Sequence, residues 1–290
     1  MKKILVPTDF SACATYAGDL AVQWAQHIQA EVHFFSRVHV HPLWDQLSEE
    51  AKADFPESYA RIATVRKQFQ DLHRRYEGNP VFISTSYGHG DLVEVISQYI
   101  DQEKIDLIIM GSQGADSMKG YLFGSNAQKV VKHAHCPVMV IKQKPTGAPL
   151  KKVVFASDFR PEALPAFERL IELVAPFRPH IYLLHIETDA GKVGEPNRSV
   201  IKTFEKKCWR LPHSTHFFGD VSVKLGISHF AHDKQADLVA FVHMGAPMIK
   251  RLLTGNLAES LVNQLDIPVM SLNPQSLKPW HTLSIAELEG

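Results

Sequence analysis

Residues 110–128 read MGSQGADSMKGYLFGSNAQ, with four glycines in fourteen residues between the apolar run Leu107-Ile108-Ile109 and a helical pattern. Glycine loses the most backbone freedom on folding, so such a cluster implies special torsions or close approach by another molecule. A helix beginning at Gly124-Ser125, with Ala127, Val130, Val131 and Ala134 on its inner face, points its first N–H groups at the loop. Unpaired N–H groups at a helix start favour an anion, and a phosphate is the natural guest. The pattern differs from a P-loop, because G-x-x-x-x-G-K-[ST] is absent, and Gly88-His89-Gly90 lacks the third glycine of a dinucleotide fingerprint. Neither H-E-x-x-H nor G-x-S-x-G occurs. His39-x-His41 and His133-x-His135-Cys136 lack the second ligand pair of a zinc site and read as structural or solvated groups, so no metal-ligating residues are expected.

The elements that must position this loop come in two copies. KKILVPTDF at residues 2–10 returns as KKVVFASDF at 151–159, and GSNAQKVVKHAHCPVMVI at 124–141 returns as GNLAESLVNQLDIPVMSL at 255–272. The offset falls from 149 to 131, so the second copy is 18 residues shorter, and the difference lies after the second strand, where residues 43–76 form a long charged stretch. Each copy alternates apolar runs with helical spacing; in the first, strands are expected at 4–8, 32–38, 81–86, 107–110 and 138–141. Continuous apolar strands separated by helices imply a parallel sheet covered on both faces. The expected fold is α/β, two tandem doubly wound, Rossmann-like domains at 1–144 and 149–275, each with a five-stranded parallel sheet, followed by a tail at 276–290. The apolar last strands of the two copies are expected to pair, since a strand left at an edge exposes backbone.

Composition narrows the function classes. With 290 residues, 45% of them hydrophobic, the chain suffices for two cores, and 31 basic residues balance 31 acidic ones. No net field favours nucleic acid or an acidic membrane surface. No apolar run approaches the roughly 20 residues that span a bilayer, and MKKILVPTDF turns polar too early for a signal peptide. Three scattered cysteines, Cys13, Cys136 and Cys208, fit free thiols in a reducing, cytoplasmic setting.

Gly111-x-x-Gly114, nine intervening residues and Gly124-Ser125, together with Val6-Pro7-Thr8-Asp9 and Pro137-Val138, resemble the ATP-binding type of the universal stress protein family. The resemblance implies that Pro7, Thr8 and Asp9 lie at the nucleoside, that Met110, Gly111, Gln113, Gly114, Gly124, Ser125 and Asn126 line the ribose and phosphates, and that the ligand is ATP or a related adenine nucleotide with Mg²⁺. It also implies pairing through the last strands, internal to a tandem chain, with further homodimers and protein clients as partners. Where the family has an apolar pair ending the second strand, this chain has Arg37-Val38, and Arg37 either stacks on the base or blocks it. The second copy keeps Asp158 and His185-Ile186 but carries Val242 for the first loop glycine and Asn256 for the serine, so its site is expected to be empty or altered.

Other readings stay open. Asp9 and Asp158 also suit helix caps, and the glycines also suit a tight turn. Lys67, Arg74 and Arg75 read as a solvated helix face. An interaction scaffold without nucleotide is one alternative; a slow ATPase or phosphotransferase is another, although spacing gives neither Asp116 nor Lys119 a catalytic role.

Overall fold

The computed structural model describes residues 1–113, 123–144, 149–188, 198–242 and 257–273. Ten strands form one sheet in the order β3-β2-β1-β4-β5-β10-β9-β6-β7-β8. In the first half these are β1 (Lys2–Pro7), β2 (Ala30–Arg37), β3 (Ile83–Gly88), β4 (Leu107–Gly111) and β5 (Val138–Ile141). In the second they are β6 (Lys152–Ala156), β7 (His180–Glu187), β8 (His213–Gly219), β9 (Leu238–Val242) and β10 (Val269–Leu272). Within each half every pairing is parallel, and the halves join through an antiparallel pair, Val269 opposite Val140 and Met270 opposite Met139.

Strand side chains alternate between two cores. Ile4 and Val6 enter one with Ala17, Phe34 and Phe69, while Leu5 enters the other with Phe35, Ile108 and Val130. Helices therefore cover both faces, as a parallel sheet requires. On the first face lie α1 (Ala12–Ile28), α3 (Pro56–Arg75), α6 (Leu164–Val174) and α7 (Arg198–Lys207); on the second lie α4 (Leu92–Glu103), α5 (Ser125–His133), α8 (Val223–Lys234) and α9 (Leu257–Gln264). Short helix α2 (Glu49–Lys52) precedes α3 in the segment that the second half lacks. There Trp44 and Ile62 close a small cluster over Val38.

The local signals are ordinary ones. Ser11 caps α1 by accepting from the Ala14 N–H at 3.3 Å, and Gln29 ends it in the left-handed region at φ 54°. Asp91 caps α4 through the N–H groups of Val93 and Glu94. Pro56 opens α3, where its fixed φ suits the first turn. Asp106 and Asp237 repeat one device: each accepts from backbone N–H groups at the start of its half's first strand, Lys3 in one and Lys151 and Lys152 in the other.

The halves also meet off the sheet. Trp24 and His27 of α1 pack on Phe177, with ring centroids 4.9 Å away in each case. Lys142 pairs with Asp266 at 2.9 Å. Arg169 of α6 pairs with Asp106, both nearly excluded from solvent.

Candidate functional site

In an open α/β sheet the ligand crevice lies beyond the carboxyl ends of the strands, where strand order reverses. Here that point is between β1 and β4: β1 has β2 on one side and β4 on the other, with Ile4 opposite Leu107 and Leu5 opposite Ile108. Pro7-Thr8-Asp9 leaves one strand and Gly111-Ser112-Gln113 leaves the other, so the fold brings these two expected segments to adjacent strand ends.

The turn after β1 is held by its own side chains. Thr8 is buried, its N–H donates to the Phe35 carbonyl at 2.8 Å, and its Oγ1 accepts from the Phe10 N–H at 3.0 Å. Asp9 is exposed, and its Oδ1 accepts from the Ser11 N–H at 3.0 Å. The helix cap is Ser11, so the capping role considered for Asp9 belongs two residues later. Asp9 instead makes the local turn that a short carboxylate favours.

Gly111 is the last residue of β4, where it lies opposite Ile141. Its backbone is not in the left-handed region, and the lack of a side chain serves packing. A Cβ there would lie 2.8 Å from both the carbonyl carbon and the Cβ of Cys13. The first turn of α1 crosses β4 at this point, so a side chain at residue 111 meets backbone as well as any ligand. The half that carries its counterpart, Val242, begins its first helix differently, with a 3₁₀ turn at Pro161–Ala163 ahead of α6. Val242 is partly buried against the core that contains Phe159 and Ala163.

Ser112 and Cys13, neither of which the sequence singled out for the site, tie it together. The Ser112 N–H donates to the Ile141 carbonyl and its carbonyl accepts from the Gly124 N–H, both at 2.7 Å. That second bond fixes the start of α5 beside the end of β4. Ser112 Oγ is buried without a hydrogen-bond partner among the described residues. Cys13 Sγ contacts the Lys142 carbonyl at 3.5 Å and the Gln113 backbone N–H; burial raises its pKa. The glycine spacing carried no signal for either residue, because their roles depend on contacts across the sheet.

Gly124 is the N-cap of α5, extended at φ −70° and ψ 152°, and no side chain caps the helix among the described residues. Ser125 and Asn126 are exposed on its first turn, while Ala127, Val130 and Val131 are buried as the spacing requires. Among the described residues the α1 start has a side-chain cap, Ser11, and the α5 start has none; N–H groups at a helix start suit an anion. Met110 is buried in the core beneath this point. Gly114, Asp116 and Lys119 lie outside the described residues.

Arg37 and Val38 sit at the end of β2. Arg37 donates to the Gly90 carbonyl at 3.4 Å and contacts His39 Nε2 at 2.9 Å. The Val38 side chain is buried with Trp44 and Ile62, so the inserted segment walls this end of the crevice. Arg75, read from the sequence as solvated, is exposed and also holds both carboxylate oxygens of Asp19 at 2.8 to 3.1 Å.

The corresponding turn in the second half is closed by its own groups. Asp158 pairs with Arg160, which stands where the first half has Ser11, at 2.8 Å, and His185 is buried with Nδ1 3.2 Å from the Ser157 carbonyl. Most of its loop, His243 to Asn256, lies outside the described residues.

Comparison with known proteins bears on this arrangement. The profile of the universal stress protein family matches residues 1–142. Universal stress protein MJ0531 of Methanocaldococcus jannaschii is 31% identical over 150 residues, which cover 49% of this chain and 82% of that protein. The chain belongs to the universal stress protein family. A universal stress protein of Archaeoglobus fulgidus has the same fold through 94% of this chain and 98% of its own, with a TM-score of 0.72 at 19% identity. Another from Pseudomonas aeruginosa, described as a putative universal stress protein, covers 94% of this chain and 93% of its own at a TM-score of 0.57 and 18% identity. These universal stress proteins share the architecture across both halves of the chain, whereas the profile match lies in the first. Among the described residues no helix is long and apolar enough to cross a membrane.

Proposed function

We propose that residues 1–144 form a universal stress protein domain that binds ATP or a related adenine nucleotide with Mg²⁺, and that residues 149–275 form a degenerate second copy. The observation that carries this reading is the α5 start, with no side-chain cap among the described residues and clamped through the Gly124 N–H to the Ser112 carbonyl at the β1/β4 strand ends. Phosphates fit there: backbone N–H groups and the exposed Ser125 hydroxyl are the donors an oxyanion needs. Gly111, Gln113 and Gly114 complete the phosphate side, Pro7, Thr8 and Asp9 the nucleoside side, and Arg37 and Val38 the base end. The Asp158–Arg160 pair and Val242 support a second copy that takes no nucleotide.

Binding in this reading is a sensory or regulatory event in the cytoplasm, with hydrolysis no more than slow. The internal strand pairing serves as the dimer contact, and protein clients complete the system. Heat denaturation of purified protein, with absorbance and mass spectrometry of what is released, tests it together with titration of nucleotide-stripped protein. Adenine nucleotide saturating at one strong site per chain supports it. Failure to bind added ATP sinks it in favour of an interaction scaffold, and turnover faster than dissociation sinks the sensory reading in favour of an ATPase.

A further inference from the structure

Behind the β1–α1 turn, on the sheet face opposite α5, a cavity of about 260 Å³ opens between α1 and α3. Phe10 has left-handed backbone at φ 62° and sends its ring to this side, edge-on to Phe69 at 5.3 Å. Phe34 of β2 forms the inner wall, with Tyr76 stacked on it at 5.7 Å. Gly18 makes that packing possible: a Cβ there would lie 2.8 Å from the Phe34 ring and 2.9 Å from Tyr76 Oη. Ala14 and Leu72 add apolar surface.

Charges at the rim are already matched. Arg75 holds Asp19 through three contacts of 2.8 to 3.1 Å, Tyr76 Oη donates to the same carboxylate at 2.9 Å, and Arg74 pairs with Asp71 at 2.9 Å. The Thr15 hydroxyl donates to the Ser11 carbonyl and the Thr8 hydroxyl accepts from Phe10. Nothing in the lining selects an ion, and the Gln68 side chain at the mouth offers both a donor and an acceptor. An apolar cavity of roughly 150 Å³ admits a single benzene ring, so this one suits a substituted or fused ring.

The second half supplies an internal control. Phe159, the counterpart of Phe10, is buried there against Phe204 at 5.2 Å, and Phe167 stands in α6 where α1 has Gly18. Phe155, Phe167 and Phe204 pack together within 6.1 Å, so the equivalent space is solid.

We propose that this cavity of the first half is a binding site for a small neutral aromatic molecule of the phenol or indole class, its ring against Phe34 and Phe10 and its polar hydrogen at Gln68. None of its groups belongs to the α5 cradle; Thr8, which lines the cavity, is the one residue shared with the proposed nucleoside side, and the test therefore uses nucleotide-free protein. The full chain, free of nucleotide, is titrated with indole, phenol and, as a charged control, benzoate, followed by saturation-transfer NMR. Indole and phenol are expected to bind saturably and to compete with each other, with benzoate at least tenfold weaker. Gln68→Trp and, separately, Leu72→Trp place a ring in the cavity from partly exposed positions and are expected to lower indole affinity at least tenfold. Circular dichroism and thermal unfolding confirm that each variant is folded. Absence of saturable indole and phenol binding, benzoate binding as tightly as indole, or unchanged binding in both filled variants overturns the proposal.

Discussion

Arg169 of α6 and Asp106, just before β4, form a buried ion pair that crosses between the two halves. The Asp106 carboxylate also accepts from the Lys3 N–H at 2.7 Å, and Arg169 reaches Glu172 at 2.9 Å. Removing one member strands the other in a poorly solvated place, which typically costs about 3–5 kcal/mol, whereas replacing both by neutral groups costs less. Arg169→Ala should therefore destabilise by about 3 kcal/mol in urea unfolding, the remaining Lys3 bond limiting the loss. Arg169→Met with Asp106→Asn should recover at least half of that. A double variant as unstable as the sum of the singles would show that the pair is not a coupled unit.

The contact of Gly111 with Cys13 changes what a substitution in the glycine loop reports. A valine at 111 would force its Cβ to within 2.8 Å of the α1 backbone, so Gly111→Val should lower stability. Overpacking of this kind costs about 1–3 kcal/mol. A cleaner probe of the anion site is Ser125→Pro. Proline suits the first helical position, and Gly124 already has the extended backbone that a following proline requires. The variant removes the Ser125 N–H and its hydroxyl from the cradle while leaving α5 intact. Each charge-assisted hydrogen bond lost is worth about 1.5–3 kcal/mol, so ATP binding should weaken at least ~10-fold by calorimetry. Unchanged affinity in the folded variant would remove both Ser125 donors from the phosphate site.

Acid should act on the far edge of the sheet. His180 and His216 approach the Ser214 hydroxyl, each with Nε2 at 2.9 Å, and Tyr182 and Phe230 pack on the rings. Burial, joined by the nearby charges of Lys152 and Lys234 and by His213, holds both imidazoles below the ordinary value of 6.5. The folded state thus keeps them neutral while the unfolded chain takes up protons below about pH 6.5. Their contribution to stability is full above that pH and is lost as pH falls through the folded-state values. Urea midpoints measured between pH 7.5 and 5 should decline, and the decline should be shallower in the His180→Gln, His216→Gln double variant. An identical slope in that variant would assign the acid sensitivity to other groups.

Strand β5 is covered on its outer edge only by β10. Residues 1–144 alone would leave Val138–Ile141 with one row of unpaired backbone groups, a template for another chain. That fragment should self-associate, detectable by analytical ultracentrifugation, and a fragment that stays monomeric at high concentration would argue against the edge as the driving contact.

Much of this architecture is legible in the sequence because its signals are local. Ile4, Leu5 and Val6 are apolar on both faces, and the KKILVPTDF and KKVVFASDF repeat marks two first strands. Ala127, Val130 and Val131 likewise reveal the buried side of α5. Contacts made across the sheet are silent in such patterns. Nothing in G-S-Q-G discloses that Gly111 lies on Cys13, or that the Ser112 carbonyl holds Gly124. The Asp9 turn shows the same limit, since capping was one reading left open for the aspartate and the cap belongs to Ser11, two residues later. Arg75 is exposed, as its charged neighbours imply, but its partner, Asp19, is silent in any local pattern because it lies 56 positions away.

The antiparallel seam between β5 and β10 has a consequence for how such a molecule can diverge. In a homodimer built on the same seam, every substitution is inherited on both sides of the axis, so a mutation that closes one site closes its twin. Here Val140 faces Val269 and Met139 faces Met270 across strands encoded separately. A difference such as serine in one half and arginine in the other at the start of the first helix can therefore stand in one half without its twin changing, and the assembly remains one-to-one at any concentration.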